Sequence, residues 1–567
     1  MNSTDKIHLV HLANIAMKKG MKYVVISPGS RSAPLVIAFN RQAGIECLSI
    51  VDERSAAFFA LGMAQQLQAP VGLLCTSGSA VLNYAPAIAE AYYQKIPLIV
   101  FTADRPWEAI DQGENQSIVQ FDIYKNYIKK SFELPVDCHH QKDLMYSDRL
   151  VNEAFNIATA MDKGPVHINI PLREPLYDIV DYTMPIEPKI IQQSQLKYSI
   201  SQVDEIRLLN QWNQSKKKMI LVGSMPQNAP LERLLERIVS ETDTVVLTEN
   251  ISNMRSTHFI PALDPMIECI DKMDLEDCIP DLLITIGAGL ISKKVKMLLR
   301  KKSLKAHWHI SASHEHWDNF NALTEVIQAD YTSIFELFLK EKLESNYTVL
   351  FQKINGQINQ FNEKFMASLP FSDFVVYKIL NDSFPPQAHI QWGNSTPIRY
   401  ANLLENKDKS IAHFANRGIS GIDGVVSTAA GASYVYQQGL TICITGDISF
   451  FYDSNAWWNR YLGGNFKCIL INNAGGNIFK IIPGPDKNAD VLDFFETPNN
   501  MDARHIAAQF DIDYIKVENE LEMKAQLPVF LSKNNSRASI LEIKTAASSS
   551  HFLRQYFEEL AKCKMAD

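Results

Sequence analysis

The sequence predicts an α/β protein of three doubly wound parallel-sheet domains, and three observations predict it. Short apolar, β-branched runs recur along the whole chain, with helical patterns between them. Continuous apolar strands alternating with helices belong to parallel sheets covered on both faces. The runs fall into three groups, and 567 residues are enough for about three or four domains of ordinary size.

The first group reads as strands at 23–26, 46–52, 71–77, 97–104 and 166–171. The second lies at 218–223, 245–250, 281–287 and 306–310. The third lies at 389–394, 411–416, 440–447, 466–473 and 539–545. The stretches around 174–200, with Pro and Gln, and 343–372, which is polar, read as linkers. The expected division is residues 1–185, 186–365 and 366–567.

Hydrophobic residues make up 46% and charged residues 21%, an ordinary globular balance. The net charge of −8 argues against nucleic acid and acidic membrane surfaces, which need basic patches. An anionic ligand would therefore require local Arg or Lys within an acidic protein. The eight cysteines form no C-x-x-C pair, and several lie in apolar runs, as expected of buried, reduced thiols in a cytoplasmic protein. The N-terminus has no signal-peptide pattern, and no apolar run reaches the length of a membrane span.

The strongest chemical motif is TGDISFFYDSNAWWNRYLGGNFKCILINNAGGNIF at 445–479. One strand ends at Gly446-Asp447 and the next at Asn472-Asn473, so that Asp447 and Asn473 stand 26 residues apart at neighbouring strand ends. An acid and an amide oxygen are hard ligands suited to Mg²⁺. Gly446 allows close approach of a diphosphate, and a helix beginning near Ile448 would present its N-terminus to it.

This stretch resembles the diphosphate motif of thiamine-diphosphate enzymes, with Ile448 in place of the usual second glycine. The resemblance implies thiamine diphosphate as cofactor and Mg²⁺ (or Mn²⁺) held by Asp447, Asn473 and the Gly475 carbonyl. It implies contacts to the cofactor from Gly446, Ile448, Ser449 and Ser395. Such enzymes also need a carboxylate that activates the aminopyrimidine ring, and IVDERSAAFFALGMAQ at 50–65 supplies Glu53. Burial there would raise its pKa. The family architecture is pyruvate-oxidase-like, with cofactor sites between the first domain of one subunit and the third of another, which implies a homodimer or homotetramer.

The segments SPGSRS, DERSA, TSGSAVLNYAPAIAEA, TADRP, GENQSI, GNS and ANRGISGIDGVVSTAAG run in that order. Together they resemble the 2-succinyl-5-enolpyruvyl-6-hydroxy-3-cyclohexene-1-carboxylate synthases of menaquinone biosynthesis. The likeness is dense at both ends of the chain and thin in the middle. It implies decarboxylation of 2-oxoglutarate and 1,4-addition of the succinyl carbanion equivalent to isochorismate. Both substrates are dicarboxylates, and guanidiniums suit them best. Arg31, Arg105, Arg399 and Arg417 each sit in or near a strand-end loop. By the resemblance they bind these anions with Ser30, Asn115, Gln116 and Lys293, with Lys294 as the alternative register. Arg31, Arg399 and Arg417 are expected beside Glu53 in catalysis. Ile422 matches the residue that props the cofactor, and Phe479 a pocket wall. A loop at 483–499 would close over substrate.

Other readings are another thiamine-dependent decarboxylase or acetolactate-synthase-like carboligase, a non-catalytic binding relative, and a nicotinamide oxidoreductase. The first lacks a use for Arg31 and Arg417, the second would have lost Glu53 or a metal ligand, and the third lacks a G-x-G-x-x-G.

Overall fold

A computed structural model describes residues 2–183, 186–194, 196, 198–339, 346–405, 408–482, 484–485, 489–532 and 536–563. Parts of both linker stretches, the domain limits at 1, 185 and 567, and Pro483 and 486–488 of the expected closing loop lie outside them.

Three parallel sheets form, each from one group of apolar runs. The first holds Tyr23–Ile26, Glu46–Ser49, Val71–Cys75, Leu98–Asp104, Ser131–Glu133 and Val166–Pro171. The second holds Lys218–Val222, Val245–Thr248, Leu282–Ile286, Ala306–Ser311 and Leu323–Gln328. The third holds His389–Trp392, Ala412–Ala415, Thr441–Gly446, Phe466–Asn472, Asp513–Val517 and Ser539–Lys544. Numbering the strands of each sheet along the chain, the first and third sheets share the order 2-1-3-4-6-5, and the second runs 2-1-3-4-5. Inner strands such as Leu98–Asp104 and Phe466–Asn472 are buried along their whole length, which is why they read as unbroken apolar runs.

The strands absent from the sequence reading are the polar ones. Ser131–Glu133, Leu323–Gln328 and Asp513–Val517 lie at sheet edges and are mostly half-buried or exposed, so they carry no continuous apolar run. Asn2–Thr4 pairs antiparallel with the exposed Ile179–Asp181. Several expected strands also end early. Val245–Thr248 stops before Glu249 and Asn250, and Glu46–Ser49 stops before Asp52. Asp52 leaves the sheet to cap the Glu53–Leu67 helix, accepting the Ser55 N–H at 2.8 Å. None of the eight cysteines is bridged; five are buried and three half-buried. Among the described residues no helix is long and apolar enough to cross a membrane.

The first and third sheets are joined through the helices that follow their second strands, Glu53–Leu67 and Val425–Val435. Small residues (Ala56, Ala57, Ala60, Val426, Ala429 and Ala430) fill one shared core there. A Cβ on Gly62 would fall 1.9 Å from the Thr428 carbonyl oxygen, and one on Gly431 would fall 1.9 Å from that of Phe59. The two backbones therefore touch, and only glycine fits at either point. Ser55 and Ser427 share a hydroxyl–hydroxyl hydrogen bond (2.9 Å), and the Asp453 carboxylate accepts the Ser427 N–H (2.7 Å) and hydroxyl (2.7 Å).

Gly62→Ala is expected to destabilise the protein by about 1–3 kcal/mol through overpacking, lowering the calorimetric Tm. An unchanged Tm would show that the two backbones do not meet there.

Candidate active site

The end of the third sheet supplies an oxygen-lined turn. Phe466–Asn472 delivers Asn473, and the backbone then turns through positive φ at Ala474 (64°) and Gly475 (143°). A Cβ on Gly475 would lie 2.7 Å from the Glu496 carbonyl, so the turn demands glycine. The Gly475 N–H donates to Asp447 Oδ2 (2.7 Å), and its carbonyl accepts the Asn477 N–H (2.9 Å), leaving one lone pair. Asn473 Nδ2 donates to Asp373 Oδ2 (2.8 Å), and the Thr545 and Ser549 hydroxyls hold the other oxygen of Asp373. A carboxylate can only accept, so the Asn473 amide nitrogen must face Asp373 and its Oδ1 faces away. Among the described residues nothing donates to that oxygen. Burial pushes the Asp447 carboxyl up to about 6, opposed by donations from Ile448, Asn499 and Gly475. A cation would offset this cost, and the oxygen donors fit Mg²⁺ or Mn²⁺. No cluster of three or more His, Cys, Asp or Glu exists among the described residues, so a nitrogen- or sulfur-rich metal centre has no support.

The backbone at Gly446 is open, since a Cβ there would meet nothing within 4 Å. The expected helix is short, Asp447–Tyr452, and the Ile448 N–H donates to Asp447 Oδ1 (2.8 Å) instead of pointing free. The Ser449 hydroxyl donates to the Ile422 carbonyl (2.7 Å), tying the half-buried Ile422 to the same turn. Ser395 sits at φ 76°, ψ −124°, strained for a residue with a side chain. Phe479 packs on Phe495 with ring centroids 5.3 Å apart. The second half of the expected closing loop is a helix, Ala489–Glu496, because its apolar residues recur at helical spacing (Val491, Leu492, Phe495).

A cationic group adjoins the turn. Arg399 Nη1 donates to the Ser395 carbonyl (2.7 Å) and Arg417 Nη1 to Asn394 Oδ1 (3.0 Å). Burial lowers the pKa of both guanidiniums; for Arg399 the neighbouring Arg417 adds to this, and for Arg417 Glu249 and Glu90 oppose it. The middle domain approaches through the helix Lys293–Lys301, which Ser292 caps. Lys294 is committed elsewhere, paired with Glu268 and stacked over Phe557. Lys293 is exposed at the helix start, and the half-buried Lys296 lies one turn further along. Burial lowers the Lys296 pKa and Glu249 raises it, with Arg417 and Lys293 among the smaller influences. Sequence reasoning missed Lys296, which carries no motif of its own.

The first sheet presents a second group. Arg31 is buried and donates to the Leu172 carbonyl (3.0 Å) and to Glu174 (3.3 Å). Burial lowers its pKa, and Arg105 adds to this. Arg105 Nε donates to the Asn115 carbonyl (2.9 Å), and its Nη1 pairs with Glu114 (3.2 Å). Ser30, Asn115 and Gln116 are exposed, and Gln116 has φ 54°. Glu53 is half-buried rather than buried in one chain, and with Asp52 doing the capping its carboxylate makes no hydrogen bond or ion pair among the described residues.

The structure thus gathers Ser395, Arg399, Arg417, Ile422, Asp447, Ser449, Asn473 and Gly475 at one strand edge, and Ser30, Arg31, Arg105, Asn115 and Gln116, with Glu53, at another. No hydrogen bond or ion pair among the described residues joins the two groups within one chain. The reading also missed Asp373, Glu249 and Glu90, single acids whose partners are remote in sequence.

Glu249 gives a pH test. It is buried, accepts the Ile291 (2.8 Å) and Ser292 (2.7 Å) N–H groups, and burial pushes it up to about 7. A raised carboxyl contributes stability that is complete below the ordinary carboxylate value and is lost as pH rises through 7. From pH 5 to pH 8 the stability of Glu249→Gln should therefore improve relative to wild type, by up to about 3 kcal/mol. A difference independent of pH in calorimetry would contradict this.

Comparison with known proteins identifies the family. Residues 10–124 match the family described as thiamine pyrophosphate enzyme, N-terminal TPP binding domain, and residues 184–390 match the middle domain of thiamine pyrophosphate enzymes. A protein of Flavobacterium psychrophilum is 40% identical over 552 residues, covering 97% of this chain and 98% of its own. One of Christiangramia forsetii is 41% identical over 568 residues (96% and 97%), and one of Porphyromonas gingivalis 36% over 565 (98% and 97%). All three carry the name 2-succinyl-5-enolpyruvyl-6-hydroxy-3-cyclohexene-1-carboxylate synthase.

Proposed function

The chain belongs to the 2-succinyl-5-enolpyruvyl-6-hydroxy-3-cyclohexene-1-carboxylate synthases, thiamine-diphosphate-dependent transferases of menaquinone biosynthesis, and from that premise we propose how its residues divide the work. The substrates are 2-oxoglutarate and isochorismate, and the products are the named cyclohexene carboxylate and carbon dioxide. Thiamine diphosphate, when bound, supplies the nucleophilic carbon and accepts the electron pair freed by decarboxylation.

Asp447, Asn473 and the Gly475 carbonyl hold Mg²⁺ or Mn²⁺. The observation that carries this assignment is the Asn473 amide, turned by Asp373 so that an unclaimed oxygen faces outward. Gly446, Ile448, Ser449 and Ser395 flank the diphosphate, and Ile422 supports the cofactor rings. Glu53 would share a proton with the aminopyrimidine; among the described residues its carboxylate has no hydrogen bond or ion pair, which leaves it available. Arg31 and Arg105, with Ser30, Asn115 and Gln116, and Arg399 and Arg417, with Lys293 and Phe479, bind the substrate carboxylates. The burial of Arg31 and the partial burial of Arg105, Arg399 and Arg417 strengthen their contacts and offset charge as it develops.

No hydrogen bond or ion pair among the described residues joins the two groups in one chain; a homodimer or homotetramer would complete each site by joining the first domain of one copy to the third of another. Exposed apolar residues beside both groups, Val51, Leu82, Ile419, Tyr452 and Trp458, support this arrangement. The domain division at 185/186 and 365/366 keeps each sheet whole. The unbridged cysteines support a reducing, cytoplasmic setting.

Purified protein with thiamine diphosphate, Mg²⁺ and 2-oxoglutarate should consume isochorismate, followed by its absorbance. Glu53→Gln should lower kcat roughly 10²–10⁴-fold, and Arg31→Ala should lower kcat/KM on the order of 10²-fold. Carbon dioxide release with isochorismate untouched would overturn the acceptor, and full activity in Glu53→Gln would overturn the role of Glu53.

A further inference from the structure

Glu90 is a carboxylate without an assigned role in a place where carboxylates are costly. It lies in the first-domain helix Ala85–Gln94 and is 1% exposed. The Gly418 N–H (2.5 Å) and Ile419 N–H (2.8 Å), both from the third domain, donate to its two oxygens. Gln94 donates to Glu90 Oε1 (2.5 Å) and to the Ala415 carbonyl (3.3 Å). Two consecutive backbone donors are therefore gathered on one side chain of another domain. The approach is close: a Cβ on Gly418 would fall 2.7 Å from the Glu90 carbonyl oxygen.

The gathered segment directly follows Arg417. Arg417 Nη1 donates to Asn394 Oδ1, and Asn394 in turn donates to the Asn416 (2.8 Å) and Gly421 (2.6 Å) carbonyls at the two ends of the loop. Nε and Nη2 of Arg417 make no hydrogen bond among the described residues. Ser420, with φ 62°, is held in a strained conformation that needs such outside support.

We propose that Glu90 is the positioning residue for Arg417: it clamps the 418–419 backbone so that the guanidinium presents its free nitrogens to a substrate carboxylate. This rests on the reading of Arg417 as a carboxylate-binding residue. Arg417 is then aimed by two domains, with Asn394 holding its side chain and Glu90 its backbone.

A double-mutant cycle tests this, with KM for 2-oxoglutarate and isochorismate, kcat, and thiamine diphosphate affinity measured by fluorescence quenching. Arg417→Ala is expected to raise KM for one substrate tenfold or more. Glu90→Gln should raise the same KM at least fivefold and leave cofactor affinity within twofold. In the Arg417→Ala background it should add less than twofold. Gly418→Ala disturbs the same contact from the other side and should give the same pattern if Glu90→Gln does not fold. A raised KM that multiplies fully with that of Arg417→Ala would overturn the proposal, as would an unchanged KM. Unchanged KM values in Arg417→Ala itself would overturn the reading of Arg417 and the proposal with it.

Discussion

The approach of two helix backbones at Gly62 and Gly431 is the constraint on which the rest depends. Helices separated by ordinary side chains can slide or tilt as those side chains repack. Helices whose carbonyls sit where a Cβ would be cannot, because no rotamer remains to adjust. The first and third sheets are therefore one rigid unit. Glu53 at the start of one helix is fixed relative to the loop before the other, and that loop carries Arg417. Hydrogen bonds from Arg54 to Tyr452, from Asn455 to Asp52 and between the Ser55 and Ser427 hydroxyls reinforce the contact on the same side.

Electrostatics follow from this rigidity. The chain is acidic overall, yet its candidate pocket gathers Arg399, Arg417, Lys293 and Lys296. Buried acids stand behind them: Glu249 and Glu90 influence Arg417, and Asp264 influences Arg399. Glu249 and Glu90 accept mainly backbone N–H groups and Asp264 accepts the Ser292 hydroxyl, so they partly compensate the cations without capping them. A desolvated cation with free donors binds an anion more strongly than a hydrated one. The positive-φ residues Gln116, Ser395, Ser420 and Ala474 cluster at the same edges. They mark where backbone comfort is given up for placement.

Much of this was legible in the sequence. Apolar strands covered on both faces cannot hide, and the spacing from Asp447 to Asn473 follows from adjacent strands with a crossover between them. Edge strands such as Asp513–Val517 were not legible, because one side of each meets water. The supporting acids were not legible either. Asp373 and Asn473 are 100 residues apart, and Glu90 and Gly418 are 328 apart. Asp373 reads as an ordinary first-turn helix acid. Glu90 did leave a trace, as a lone charge between Ala89 and Ala91 on an apolar helix, but nothing in the sequence said what it faced. Lys293 and Lys294 could be separated only once Glu268 and Phe557 were seen to claim the second.

The shared strand order of the first and third sheets has a further meaning. Both contact helices follow the second strand, and each glycine meets the carbonyl three residues before its counterpart: Gly62 meets Thr428, and Gly431 meets Phe59. That reciprocity is the pattern of a two-fold axis relating identical partners, here realised between halves of one chain that no longer look alike. The contact is thus symmetric in backbone, although the two halves differ in what they carry at their strand ends: Glu53 on one side, Asp447 and Asn473 on the other.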